Sequence, residues 1–239
     1  MSIAPPFLGA PLFLAAAALA APPAPEPGTV ILEDAFDRAE ADDAKEEVGN
    51  GWRTNSKARA AGNKQVDLDA GALHVTRHPV ADHSVSVVHE AAFRDATITL
   101  RFKLAPGAML KVNLADLGEK SVHAGHLCAV HVRQGKVTLE DLKTGRMKSE
   151  IRARRQSKSV TPADRDLLKT TTREFPVKTA PGEWHTLSVT VAGDTLSAAI
   201  DGAPVGELAG PGVAHPTKRL LRLGVEKEVW IDDVRVVAG

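Results

Sequence analysis

Between Gly182 and Val237 the chain passes through a series of strand-length runs in which apolar and polar side chains alternate, each closed by its own turn residues. In Thr186-Leu-Ser-Val-Thr-Val191, the leucine and valines share one face and the hydroxyls the other, the pattern of a strand with one face in a core and one in water. Gly193-Asp194 turns the chain into Thr195-Leu-Ser-Ala-Ala-Ile200. Asp201-Gly202 then supplies two residues that tolerate positive φ, as the primed hairpin turns require, and Ala203 to Leu208 returns. Leu220-Leu-Arg-Leu-Gly-Val225 and the run from Val229 to Val237 add two more strands. The whole region reads as a β-meander and its extensions.

The same period governs the front half. Val30-Ile-Leu-Glu-Asp-Ala-Phe36 reads as a first strand, expected to pair with the last and close one sheet. Asp37 to Asn50 is too charged to bury and reads as a loop or short helix, followed by the Gly49-Asn-Gly51 turn. Strands follow at Gly71 to Thr76 and Ser84 to His89. In Thr97-Ile-Thr-Leu-Arg-Phe-Lys-Leu104, Met109-Leu-Lys-Val-Asn-Leu114 and Leu127-Cys-Ala-Val-His-Val-Arg133, the apolar side chains fall on one face and the polar ones on the other. If these runs are neighbours, Arg101, Lys111, Asn113 and His131 share one polar surface, which is either a binding face or an ordinary wet sheet face. Trp52 likewise has two readings, a core or rim anchor or a sugar-stacking ring beside that face.

After Leu142 the period changes, and a helical insertion is expected at about residues 147–170. Thr161, Pro162 and Asp164 form a helix start, with a capping hydroxyl, a proline at the first helical position and a carboxylate in the first turn. Arg146, Lys148, Arg152, Arg154, Arg155 and Lys158 form a basic cluster with two readings, a solvated helix face or a site that attracts an anionic polysaccharide or nucleic acid. Formal net charge is zero, so nothing in the global balance points to nucleic acid. The single cysteine, Cys128, excludes an intrachain disulfide and lies in an apolar run as a small buried hydrophobe. With 43% apolar residues, the chain builds one sandwich core. Residues 1–20 read as a signal peptide, their apolar run being too short to span a bilayer, and residues 21–29 as a proline-rich spacer before a domain at 30–239. Secreted or periplasmic localisation follows.

The elements Gly182-Glu-Trp-His-Thr-Leu, Gly193-Asp, Ile200-Asp-Gly and Ile231-Asp-Asp-Val-Arg-Val resemble the back half of concanavalin A-like jelly rolls and, within them, the secreted 3-keto-disaccharide hydrolase-like group. The resemblance runs from about Val30 to the C-terminus. It implies an all-β, concanavalin A-like jelly-roll β-sandwich with an oligo- or polysaccharide partner held on the concave sheet face. Where enzymatic members carry a Gln-x-His-Gly element, this chain reads Lys227-Glu-Val-Trp-Ile-Asp-Asp233, which puts saccharide binding ahead of cleavage. A structural envelope role is the third reading.

The residues bear on chemistry as follows. No Glu-x-Asp-x-x-Glu run is present, and Glu140 and Asp141 are adjacent on a strand and so face opposite ways; ordinary two-carboxylate retaining hydrolysis is not expected. A 3-keto sugar needs less, because its ketone acidifies the C2 proton and one base, such as histidine, suffices to start expulsion of the glycosidic oxygen. His123 and His126 are the candidate catalytic residues, with His131 beyond them and Asp116 upstream; together they also have the composition of a zinc or other divalent-metal site. Arg101, Lys111, Asn113, His131 and Trp52 are the candidate ligand-binding residues. Glu33 and Asp34 on the first strand, with Asp232 and Asp233 on the last, are candidates for a structural calcium.

Overall fold

The computed structural model describes Met1 and residues 25–239. Apart from Met1, the expected signal peptide lies outside the described residues, as do residues 21–24 of the spacer. In chain order the elements are β1 (Val30–Asp34), β2 (Arg53–Thr54), α1 (Ser56–Arg59), β3 (Val66–Asp69), β4 (Ala72–Thr76), β5 (Val85–Phe93), β6 (Ala96–Leu104), β7 (Met109–Ala115), β8 (His126–Arg133) and β9 (Lys136–Asp141). Two helices follow, α2 (Ser149–Gln156) and α3 (Pro162–Thr170). The chain then completes β10 (Thr172–Pro176), β11 (Trp184–Ala192), β12 (Thr195–Ile200), β13 (Ala203–Ala209), β14 (Lys218–Glu226) and β15 (Glu228–Ala238). No helix among the described residues is long and apolar enough to cross a membrane.

The strands form two antiparallel sheets. The first runs β13-β12-β11-β6-β15-β4-β3, with β1 also pairing β15; the second runs β10-β9-β8-β7-β14-β5-β2. This is the expected jelly-roll sandwich with a short helical insertion. Alternation explains both layers: Ile98, Leu100, Phe102 and Leu104 of β6 and Leu110, Val112 and Leu114 of β7 are buried and join one core cluster, which Val130, Leu139, Leu221 and Leu223 extend. Asp201 and Gly202 both take positive φ (52° and 78°), so the β12–β13 hairpin turns as its residues dictate.

β15 is shared by two partners along one edge. Its first half pairs β4 through Glu228 to Ile231 and its second half pairs β1 through Val234 to Val237. The handover coincides with a register shift against β6 between Asp232 and Arg235, where Asp233 takes φ 47°. Such a bulge bends the strand and frees one edge for the next partner.

The alternating runs do not all share a sheet. β7 and β8 are neighbours, but β6 pairs β11 and β15 in the opposite layer, because residues 105–108 carry the chain across the sandwich rather than around a hairpin. Arg101 therefore lies on the far outer face, bonded to Asp232 at 3.0 Å with its guanidinium 4.8 Å from the Trp184 ring centre. It takes no part in a common surface with Lys111, Asn113 and His131.

Trp52 is a core anchor. It is 7% exposed, packs on Phe36 (ring centres 5.8 Å apart) and donates its indole N–H to Asp34 at 2.8 Å. Asp34 also accepts from the Phe36 N–H (2.9 Å), both Arg38 Nη atoms (2.7 and 2.9 Å) and Asn50 Nδ2 (3.0 Å). Glu33 is bonded instead to Arg235 (3.1 Å), while Asp232 and Asp233 face Arg101 at 3.0 and 3.6 Å. The four carboxylates expected to hold calcium are thus divided among three separate sets of cationic partners and do not form one oxygen cage. The reason is register: Asp34 faces Val234 and Glu33 faces Arg235, so the acidic pairs of the two strands are offset.

The insertion folds as its capping residues predict. Thr161 Oγ1 accepts from the Asp164 N–H (3.1 Å) and the Asp164 carboxylate accepts from the Thr161 N–H (3.0 Å), while Arg154 clips α2 to α3 through two bonds to Asp164 (2.7 and 2.6 Å).

Burial alone raises the pKa of Asp34, but its Arg38, Asn50, Phe36 and Trp52 donors outweigh that effect and hold it at about 2, against an ordinary 3.8. The stability it contributes is complete above pH 3.8 and is lost as pH falls through about 2. Asp34→Ala strands a guanidinium and an indole N–H, so it should destabilise by on the order of 3–5 kcal/mol, which thermal unfolding reads as a midpoint lowered by roughly 10 °C.

Candidate functional site

The outer face of the second sheet carries the side chains that alternation turns away from the core. Lys111 of β7 lies opposite His131 of β8 and Gly224 of β14, while Asn113 lies opposite Ala129 of β8 and Arg222 of β14. Glu140 of β9 lies one strand further, opposite Ala129. Together with the start of the insertion and the segment before β5, this face encloses a cleft of about 640 Å³ lined by Lys111, Asn113, His123, His126, His131 and Arg222, among others. Arg146, Met147 and Arg152 form the insertion's wall.

Strict alternation would send His126 to the core side with Cys128. A register shift prevents this: Leu114 faces Cys128 but Ala115 faces His126, so Leu127 is skipped and His126 returns to the cleft face. Its position is set by Asn113, which is fully buried. Asn113 Nδ2 donates to the Cys128 carbonyl at 3.0 Å, which leaves Oδ1 to face His126 Nδ1 at 2.7 Å. His126 Nδ1 therefore carries the proton and Nε2 the lone pair. Arg222 Nη1 is 3.3 Å from both ring nitrogens, a distance possible only over the ring face. Burial, then the charges of Arg222, Lys111, His123 and Arg146, push the His126 pKa down to about 3. It is a neutral ring at any physiological pH.

His131 has a different environment. Its Nε2 is 2.7 Å from Glu140 Oε2, which also accepts from Arg146 Nη2 at 2.6 Å. Nε2 is then the protonated nitrogen, and Nδ1 bears the lone pair. Burial lowers the His131 pKa and the Glu140 carboxylate works against that fall, with a net downward shift. Glu140, despite its burial, is held at about 2 by His131 and Arg146. A buried carboxylate that orients an imidazole and favours its cation gives that ring the character of a general base.

Lys111 faces His131 across the strand pair. Burial, followed by the charge of Arg146, brings its pKa down to about 8; Glu140 and Glu226 offset this in part, and Arg222 adds to it. Near neutrality it is a desolvated cation.

The structure brings His123, His126 and His131 to one cleft but leaves Asp116 out. The Asp116 N–H donates to the Gly125 carbonyl at 2.9 Å beneath the histidine loop, while its carboxylate turns to Gly118 N–H (2.7 Å), Thr217 Oγ1 (2.7 Å) and Arg219 Nε (3.3 Å). Gly125, at φ 70°, is required there, since a Cβ would stand 2.3 Å from the Asp116 carbonyl oxygen. Among the described residues, no three His, Cys, Asp or Glu side chains are grouped to hold a metal ion, so the proposed histidine and Asp116 set is not assembled. Cys128 is fully buried and burial pushes its thiol up to about 12, consistent with a packing role.

Arg222, Glu140 and Arg146 were not among the residues expected in the site. Arg222 was visible as the polar member of an alternating run, and Glu140 as the outward member of an adjacent acidic pair. Arg146 and Arg152 belong to the basic cluster with two readings, a solvated face or an anion-attracting site, and both line the cleft.

Residues 42–237 match the sequence model of the 3-keto-alpha-glucoside-1,2-lyase-like domain family. Among solved structures, the chain is similar to a carbohydrate binding module, CBM66, from Bacillus subtilis, with 11% identity and a TM-score of 0.51 over 78% of this chain and 95% of that one. It is also similar to SCLam, a non-specific endo-beta-1,3(4)-glucanase from family GH16, at 14% identity and TM-score 0.55 over 90% and 92% of the two chains. A laminarinase from Flavobacterium sp. UMI-01 gives 11% identity and TM-score 0.55 over 87% of this chain and all (100%) of that one. At such identities the likeness is one of fold alone. No curated protein matches the sequence.

Imidazole nitrogen NMR checks the two ring assignments. His126 should remain the neutral Nδ1–H tautomer down to about pH 3. In Glu140→Gln the His131 titration should move to lower pH, because the carboxylate that favours its cation is gone; an unmoved or raised titration would remove Glu140 from this role.

Proposed function

The chain belongs to the 3-keto-alpha-glucoside-1,2-lyase-like domain family, and from that premise we propose that the cleft cleaves a 3-keto glycoside with His131 as its base. The observation that carries this reading is the juxtaposition of a carboxylate-oriented imidazole and a desolvated ammonium, His131 and Lys111, on facing strands of one cleft.

The chemistry needs two groups. In a sugar with a ketone at C3, the C2 proton is acidic, and His131 Nδ1 removes it; the C–H electron pair becomes the C2=C3 bond of an enolate with its charge on O3. Lys111 stabilises that oxygen, in a cleft where loss of water strengthens the interaction. As the ketone re-forms, the pair shifts to C1=C2 and the C1–O bond breaks. The departing oxygen takes a proton from the His131 imidazolium, which restores the base. Addition of water across C1=C2 then completes hydrolysis, and its omission leaves the unsaturated product of a lyase. Asn113 holds His126 in one tautomer, presenting its Nε2 lone pair to a substrate hydroxyl. Glu140 acts through His131 as a positioning residue.

The jelly-roll fold supports an oligosaccharide as partner, and the apolar N-terminal run supports action outside the cytoplasm. Saccharide binding without cleavage is the competing reading, and turnover separates the two. With a 3-keto disaccharide, His131→Ala should lower kcat by about 10²–10⁴-fold and Lys111→Met by about 10²–10³-fold, both with an unchanged unfolding midpoint. The base must be neutral and the ammonium charged, so kcat/KM should fall on the acid side below the ordinary histidine pKa of 6.5 and on the alkaline side above about 8. Binding without turnover, or full turnover by His131→Ala, would refute the assignment.

A further inference from the structure

The charge around the cleft does not balance. Five cationic side chains line it, Arg59, Lys111, Arg146, Arg152 and Arg222, and one carboxylate, Glu226. The nearby carboxylates are already engaged: Asp82 with Arg59 (3.3 Å), Glu226 with Arg133 (3.1 Å) and Glu140 with His131 and Arg146. Among the described residues, Arg152 and Arg222 have no carboxylate within 4.0 Å; Arg152 reaches only Gln156 Oε1 (3.1 Å), and Arg222 only the His126 ring. The His123 ring lies 6.3 Å from the His126 ring against which Arg222 sits, and the His123 backbone N–H donates to the Met147 carbonyl (3.0 Å) just before α2, the helix that carries Arg152, so both guanidiniums line the cleft on its His123 side. Arg222 is itself partly desolvated, as the fall in its own pKa reflects. A desolvated guanidinium without a counter-ion is costly, and its planar donor fork matches an oxyanion.

We infer that the saccharide bound here is acidic, with a carboxylate or sulfate ester seated between Arg222 and Arg152 at the His123 end of the cleft. The Lys111 and His131 end is left for the keto ring. The inference deepens the 3-keto glycoside reading by naming the substrate class, and it rests on that reading only for the identity of the second ring.

Binding of unoxidised disaccharides isolates this claim from catalysis. Calorimetry on the full chain would compare a neutral disaccharide with otherwise identical forms bearing a uronate carboxylate or a sulfate ester, at two salt concentrations. The acidic forms should bind at least tenfold more tightly, and the advantage should shrink as salt rises. Arg222→Gln and Arg152→Gln should each reduce the advantage several-fold; Arg152 stands on the exposed insertion helix, so its variant remains informative if Arg222→Gln fails to fold. Uronate and sulfate arms distinguish the two anions, and a preference for either supports the inference. Equal binding of acidic and neutral forms, or an advantage untouched by both variants, would overturn it. A neutral 3-keto disaccharide turned over as fast as its acidic counterpart would sink the acidic class alone, whereas an acidic preference without any keto-sugar turnover would sink the cleavage reading alone.

Discussion

Burial of the two inner sheet faces is the constraint on which the rest of this molecule depends. Each strand that contributes Leu, Val, Ile or Phe to the core must send its intervening residues outward, and on β7, β8, β9 and β14 those are Lys111, Asn113, His131, Glu140 and Arg222. Apolar area removed from water stabilises at about 25 cal/mol per Å², and a one-residue slip would exchange the two faces. The positions of the polar side chains are therefore held by the same term that holds the fold. Side chains carried on strands are placed more precisely than side chains carried on loops, and Lys111, Asn113, His131, Glu140 and Arg222 are all on strands.

What the cleft can do follows from a competition between desolvation and charge. Burial pushes histidines and lysines toward neutrality, and His126, surrounded by cations, yields completely. His131 is spared part of that fall by Glu140, which Arg146 in turn keeps ionised. Two imidazoles on one strand thus acquire different chemistry: one is a fixed neutral acceptor, the other a ring able to take a proton. Lys111, facing the second, is neither fully charged nor fully neutral near its lowered pKa of about 8. That divergence of environments is what supports the proposed acid–base role of the cleft.

Much of the fold was legible in the sequence because period-two alternation reports burial directly. The Asp201-Gly202 hairpin, the pairing of the first strand with the last and the capped helix at Thr161 were all readable from short-range chemistry. The alternation of residues 97–104 identified its core face correctly but not its sheet, since periodicity says which side chains are buried and nothing about which layer they join. Arg101 was misplaced for that reason. The Asp34 cluster was unreadable because Trp52, 18 residues away, gives no local sign of its hydrogen bond. His126 needed a register shift to reach the cleft, and a bulge without a marking glycine leaves no trace in an alternating run. The basic insertion was recognised as helical, but its placement over the second sheet, which turns Arg146 and Arg152 into cleft walls, is a tertiary fact.

The central claim is that the cleft removes the C2 proton of a 3-keto sugar before the glycosidic bond breaks. Proton NMR of the reaction in deuterium oxide tests it most directly. Elimination followed by hydration places deuterium from solvent at C2 of the released 3-keto sugar, and that is the predicted product. A released sugar that keeps its original proton at C2 would mean direct displacement at C1 and would contradict the account.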